Sequence, residues 1–140
     1  MAKQSDKIAV IGGGSWATAL VKMLCNNLDN VNWWMRSQDS VDYIQKYKRN
    51  PKYLQSVEFD LNKITVSTDL ESIISNSDII IIATPSAFLF KLFENVSQTL
   101  FESKVVFSAV KGIIPEYSAI PARFIHKTFG TPYSKIGIIC

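Results

Sequence analysis

Apolar and polar residues alternate in blocks along this 140-residue chain rather than position by position. Short apolar runs at 7–11, 31–35, 64–67, 78–83, 105–110 and 136–139 predict strands. The segments between them, at 15–27, 38–48, 70–75, 87–101 and 119–129, predict helices. In the first of these, Ala17, Leu20, Val21 and Leu24 fall at i, i+3, i+4 and i+7, which is one apolar helical face. Pro51 is expected to end the second helix. The run Ile79–Ile82 cannot alternate between core and solvent, so this strand should be covered on both faces, as in a parallel sheet. Strand–helix alternation of this kind predicts a doubly wound α/β sheet with right-handed crossovers. The chain stops at Cys140, directly after an apolar strand with no closing helix, which suggests a piece of a longer polypeptide.

Composition narrows the class without changing the picture. With 47% hydrophobic and 19% charged residues, the chain reads as a soluble globular protein of one domain, residues 1–140. A net charge of +3 is too small to imply nucleic acid. Two cysteines and one histidine make neither a disulfide framework nor a zinc spacing, so no metal is expected and a reducing, cytoplasmic compartment fits best. Lys3 and Lys7 precede an apolar stretch, but three glycines and then Lys22 interrupt it, which argues against a signal peptide. The most apolar segment, 79–83, is far too short to span a bilayer, so membrane insertion is not expected.

Candidate chemistry begins at Gly12, Gly14 and Ala17, a G-x-G-x-x-A pattern between a predicted strand and a predicted helix. Gly12 would make the tight turn, Gly14 would let the backbone approach a pyrophosphate, and Ala17 would let helix and strand pack closely. Amides at the helix start and the positive end of its dipole would then face the anion. The context makes this a dinucleotide-binding, Rossmann-type sheet, mainly parallel, with helices on both faces. A fold selective for NAD usually carries Asp or Glu at the end of the second strand, about 20 residues past the glycines. Here that strand ends in Arg36 and Ser37, so the residues lean towards NADP, with NAD still open.

Two further segments sit where the chain leaves strands. Thr84 and Pro85, in Ala-Thr-Pro-Ser, follow the fourth strand, with Ser86 expected to cap the next helix. Lys111 follows the fifth strand, with Gly112 behind it for backbone freedom. In this fold Gly12, Arg36, Thr84 and Lys111 should share one edge, at the carboxyl ends of the strands. The basic and aromatic stretch at 46–53 reads as a helix end and proline turn rather than a nucleic-acid surface. His126, between Phe124 and Phe129 of an amphipathic helix, is expected to be a structural or surface residue rather than an acid–base catalyst.

With these pieces in order, the chain resembles the N-terminal domain of bacterial NAD(P)-dependent glycerol-3-phosphate dehydrogenases. The resemblance rests on GGGSWATAL, WWMRS, NPKYL, IIATPS and SAVKGI, in that order, and runs from about Lys7 to the last residue. It implies NADP or NAD as cofactor, with Ser15 and Trp16 lining it, Arg36 beside the adenosine ribose and Tyr53 as a further contact. Lys111 would reach both the nicotinamide side and the substrate, in a positioning and electrostatic role. The family usually has alanine at Gly13 and often glycine at Ala17, and neither departure disturbs the pattern. The implied reaction is hydride transfer between sn-glycerol 3-phosphate and dihydroxyacetone phosphate, for glycerophospholipid synthesis. The general base and most of the substrate site would lie in a helical C-terminal domain absent from these 140 residues. Another two-domain dehydrogenase of a small hydroxy acid or sugar remains open, as do a non-catalytic nucleotide-binding module and a structural domain with an empty crevice. So does a homodimer. Surfaces near Lys111 and Cys140, covered in a longer protein, are expected to be exposed here.

Overall fold

The computed structural model describes residues 5–139. Six strands form one sheet: β1 (Ile8–Ile11), β2 (Val31–Trp34), β3 (Ile64–Ser67), β4 (Ile79–Ile82), β5 (Val105–Ser108) and β6 (Ile136–Ile138). Their order is β3-β2-β1-β4-β5-β6, and every neighbouring pair is parallel. Five helices connect them: α1 (Ser15–Cys25), α2 (Gln38–Tyr47), α3 (Leu70–Ser75), α4 (Ser86–Phe93) and α5 (Pro121–Phe129). This is the doubly wound order, with the chain leaving β1 towards β2 and β3 and returning at β4 to build the other half.

Each central strand feeds two cores. Val10, Trp33 and Ile81 pack with Ala17 and Val21 of α1 and with Val41 and Ile44 of α2. Ile11, Trp34, Ile80, Ile82 and Val106 pack on the opposite face with residues of α3, α4 and α5. Ile80, Ile81 and Ile82 of β4 thus serve both faces, as the lack of alternation in this strand requires.

Several boundaries differ from the sequence reading. The helix expected over 87–101 stops at Phe93, and residues 94–97 separate it from a 3₁₀ turn at Gln98–Phe101. Ser97 starts that turn by accepting a hydrogen bond from the Thr99 amide, the local competition that disfavours serine inside helices. The interruption brings Phe101 onto Phe129, stacked with centroids 3.7 Å apart. Pro51 does not end α2, because Lys48 terminates it first in a left-handed C-cap, φ 61°. Helix α5 starts at Pro121, which occupies the first-turn position proline favours, and a short 3₁₀ turn at Pro115–Tyr117 precedes it. Ser86 is the first residue of α4 rather than its cap; Pro85 holds the cap position and no side chain caps the helix.

No helix among the described residues is long and apolar enough to cross a membrane. Beyond β5, Ile113 and Ile120 are well exposed, as is Ile138 of β6. Lys111 is exposed as well; Cys140, named with it in the sequence reading, lies outside the described residues.

Candidate functional site

Register places the carboxyl ends of four strands in one row. Ile11 pairs with Trp34 on one side and Ile82 on the other, and Ile82 pairs with Ser108. Gly12, Arg36, Thr84 and Lys111 therefore leave the sheet on the same edge, around the β1–β4 boundary where the strand order reverses. In doubly wound sheets that boundary forms the ligand crevice.

The glycine loop is built against β4. Gly12 has φ +143°, and a Cβ there would lie 2.6 Å from the Ala83 carbonyl oxygen, so only glycine fits. Gly14 is different: it caps α1 with φ −80°, and a Cβ there would meet nothing within 4 Å. Its lack of a side chain leaves open space in front of the helix instead of relieving a clash. Helix α1 has no side-chain cap and no acidic residue in its first turn, so its positive end is left uncompensated. Ala17 is fully buried against the sheet. A cradle open at Gly14, facing an uncapped helix start, fits the pyrophosphate of a dinucleotide.

The loop is also held from behind. Trp33 Nε1 donates to the Gly12 carbonyl at 2.7 Å. Asn50, almost fully buried, donates through Nδ2 to the Gly13 carbonyl at 3.1 Å and to Thr18 Oγ1 at 2.9 Å. The Thr18 hydroxyl in turn donates to the Gly14 carbonyl at 2.7 Å. Sequence reading missed all three side chains. Asn50 stood inside a stretch read as a helix end, and only the tertiary fold brings it beneath residues 37 positions away.

Around the cradle the other candidates take separate places. Thr84 Oγ1 donates to the Ile11 carbonyl at 3.0 Å, tying the β4–α4 loop to the end of β1. Pro85 is exposed beside it. Arg36 reaches from the end of β2 to α4, with its guanidinium carbon 5.9 Å from the centre of the Phe88 ring, a cation–π distance. Phe88 is half exposed and carried no signal in sequence. Ser15 and Trp16 are exposed at the start of α1, and Tyr53 is exposed on the loop that Asn50 anchors. Gly112, φ +91°, brings the loop carrying Lys111 beside the β4–α4 loop, since a Cβ there would lie 3.7 Å from Ser86 Oγ. Lys111 is exposed and has no hydrogen-bond or ion-pair partner among the described residues.

His126 takes no part in this edge. Its Nδ1 lies 2.8 Å from the Thr131 carbonyl, and its ring stacks on Tyr133 at 4.1 Å. The basic stretch is likewise local structure, with Arg49 paired to Glu58 at 3.3 Å.

Residues 7–140 match the family described as NAD-dependent glycerol-3-phosphate dehydrogenase N-terminus. The chain belongs to this family. Glycerol-3-phosphate dehydrogenase [NAD(P)+] of Azotobacter vinelandii is 34% identical over 132 residues, and that of Pseudomonas aeruginosa is 31% identical over 136. Among solved structures, a glycerol-3-phosphate dehydrogenase of Plasmodium falciparum superposes with TM-score 0.80 at 28% identity, over 90% of this chain and 38% of its own. That of Coxiella burnetii shares the fold with TM-score 0.74 at 24% identity, over 96% of this chain and 39% of its own. As a glycerol-3-phosphate dehydrogenase N-terminal domain, the chain accounts for about two fifths of its relatives: 94% of it aligns with 38% of the Azotobacter protein, and 97% with 39% of the Pseudomonas protein. The six-stranded order is that of the doubly wound dinucleotide-binding fold.

Proposed function

We propose that this chain is the cofactor-binding part of an enzyme that interconverts sn-glycerol 3-phosphate and dihydroxyacetone phosphate with NADP in preference to NAD. The observation that carries the reading is the glycine cradle, open at Gly14 and set at the β1–β4 boundary, in a chain of this family. When bound, the nicotinamide cofactor supplies the hydride chemistry, and the protein supplies orientation and electrostatics. Gly12, Gly14, Ser15 and Trp16 would hold the pyrophosphate, with Thr84 and Pro85 forming the neighbouring wall. Arg36 beside Phe88 would take the adenosine end. Tyr53 would make a further contact with the cofactor from the loop that Asn50 anchors to the glycine cradle. The cationic Arg36 and the absence of a carboxylate at the end of β2 support NADP.

Lys111 is the candidate for a direct part in turnover. An ammonium near the substrate's carbonyl or phosphate oxygen favours negative charge developing there. Its exposure on the crevice edge leaves it free to engage a ligand. Assaying the full natural polypeptide by loss of reduced-cofactor absorbance tests the reading directly. Dihydroxyacetone phosphate should be reduced well ahead of small hydroxy-acid and sugar precursors, and faster with NADPH than with NADH. Lys111→Ala should lower kcat by about 10²-fold or more. Preference for another substrate, or unchanged kcat in the Lys111 variant, would overturn the respective assignment.

A further inference from the structure

Three successive carbonyls of the glycine loop are each held by a side chain from outside the motif. Gly12 is held by Trp33 Nε1, Gly13 by Asn50 Nδ2 and Gly14 by Thr18 Oγ1. None of these side-chain bonds belongs to the sheet or helix ladders, although the Gly14 carbonyl also accepts the Thr18 amide at 3.0 Å as the first bond of α1, and all three side chains are buried. The peptides are trans, so each carbonyl and the amide of the following residue point in opposite directions. Holding the three carbonyls by buried side chains turns the N–H groups of Gly13, Gly14 and Ser15 away from those side chains, and none of the three finds an acceptor among the described residues.

Asn50 is the hub of this arrangement. Both amide hydrogens are used, one on the Gly13 carbonyl and one on Thr18 Oγ1, while Oδ1 accepts from the Lys52 and Tyr53 amides at 2.9 and 3.2 Å. All four of its hydrogen-bonding positions are filled, which fixes the orientation of the side-chain amide. Thr18 completes the chain by accepting from Asn50 and donating to Gly14. A buried network in which every member is satisfied is rigid, and losing one partner leaves the others unpaired. The same asparagine thus fixes the loop that carries Tyr53 and the orientation of the cradle's peptides.

We propose that Trp33, Asn50 and Thr18 are positioning residues that preorganise the pyrophosphate-binding amides, with Asn50 coupling the Tyr53 loop to that cradle. This rests on the dinucleotide reading given above. Anchored amides bind an anion without first having to be ordered, so the network should contribute to pyrophosphate affinity and not to recognition of the adenosine end.

The test uses the full natural polypeptide, with NADPH binding followed by titration and with inorganic pyrophosphate and adenosine as competitors. Asn50→Leu is expected to weaken NADPH and pyrophosphate by about tenfold or more while adenosine changes less than about twofold. Because that buried variant is the one most at risk of misfolding, Thr18→Val is measured beside Thr18→Ser. The valine, which keeps the shape and loses the hydroxyl, should weaken pyrophosphate several-fold, and the serine should restore it. Wild-type-like pyrophosphate binding in Thr18→Val overturns the proposal. So does an equal loss of adenosine and pyrophosphate, or failure of Thr18→Ser to rescue, since either would mean only general damage to the fold. If the unsubstituted protein binds neither NADPH nor NADH, the dinucleotide reading itself fails, a result separate from these.

Discussion

The three glycines of the loop look interchangeable in sequence and differ physically. Gly12 is required by its own backbone: φ +143° and a backbone oxygen 2.6 Å from any Cβ. Gly12→Ala should cost about 1–3 kcal/mol through strain alone, with the clash added to it. At Gly13 a Cβ would meet the terminal methyl of Met35 at 2.8 Å, and that side chain can swing aside. Gly13→Ala should therefore cost about 0.5–1.5 kcal/mol, the price of one shifted rotamer. Gly14→Ala meets nothing and needs no unusual φ, so stability should change by less than about 0.5 kcal/mol. Dinucleotide affinity should nevertheless fall by about tenfold, about 1.4 kcal/mol, because the new methyl occupies the approach to the helix start. Urea denaturation and cofactor titration on the three variants separate these roles; an unstable Gly14→Ala with intact binding would reverse the assignment. The glycine spacing made the motif legible in sequence, since Gly12 answers a local backbone demand and Gly14 keeps the approach to the helix start open. Asn50, Thr18 and Trp33 were not legible, because their partners are set by the packing of distant segments.

At the scale of elements, periodicity located all six strands and all five helices, because each apolar run or face has to be buried. It failed where two elements share an aromatic-rich stretch. The Phe and Leu residues at 88–101 suit one long helix, but Asn95 and Ser97 interrupt it, and the remainder turns as a 3₁₀ segment. Tertiary packing decides the outcome. Phe101 stacks on Phe129 and meets Phe93 edge-on at 6.0 Å, while Phe93 meets Phe129 at 5.0 Å. This triad joins α4, the 3₁₀ turn and α5 beneath β4 and β5. Phe101→Ala, at a site 2% exposed, should cost about 3–5 kcal/mol in urea unfolding. A loss below about 1 kcal/mol would mean that the triad fails to join these elements. Lys104, just beyond the turn, donates to the Ser77 carbonyl, fastening the turn to the start of β4.

In the whole molecule, parallel strands divide labour between the two ends of the sheet. The carboxyl edge carries the glycine loop, Arg36, Thr84 and Lys111, of which Arg36 and Lys111 are exposed and have no hydrogen-bond or ion-pair partner among the described residues. The turn that follows α5 and leads into β6 lies at the amino edge, because the helices run opposite to the strands. There His126 is bound to structure: the Thr131 carbonyl can only accept, so Nδ1 carries the proton and donates to it. Substitutions at the two edges should therefore separate stability from binding. His126→Ala removes a hydrogen bond and a ring stacked on Tyr133, so it should lower stability by about 1–2 kcal/mol and leave NADPH affinity within about twofold. Arg36→Ala removes an exposed cation that faces the Phe88 ring and has no hydrogen-bond or ion-pair partner among the described residues, so stability should hold within about 0.5 kcal/mol. Its effect should instead fall on cofactor choice. NADPH affinity should drop by about tenfold or more while NADH affinity changes little, because only NADPH carries the 2′-phosphate that a guanidinium pairs with. Measuring both cofactors and urea stability on both variants gives six numbers with an expected pattern. Equal losses of NADPH and NADH in Arg36→Ala would remove the argument for NADP, since Arg36 would then be gripping the adenosine that both cofactors share.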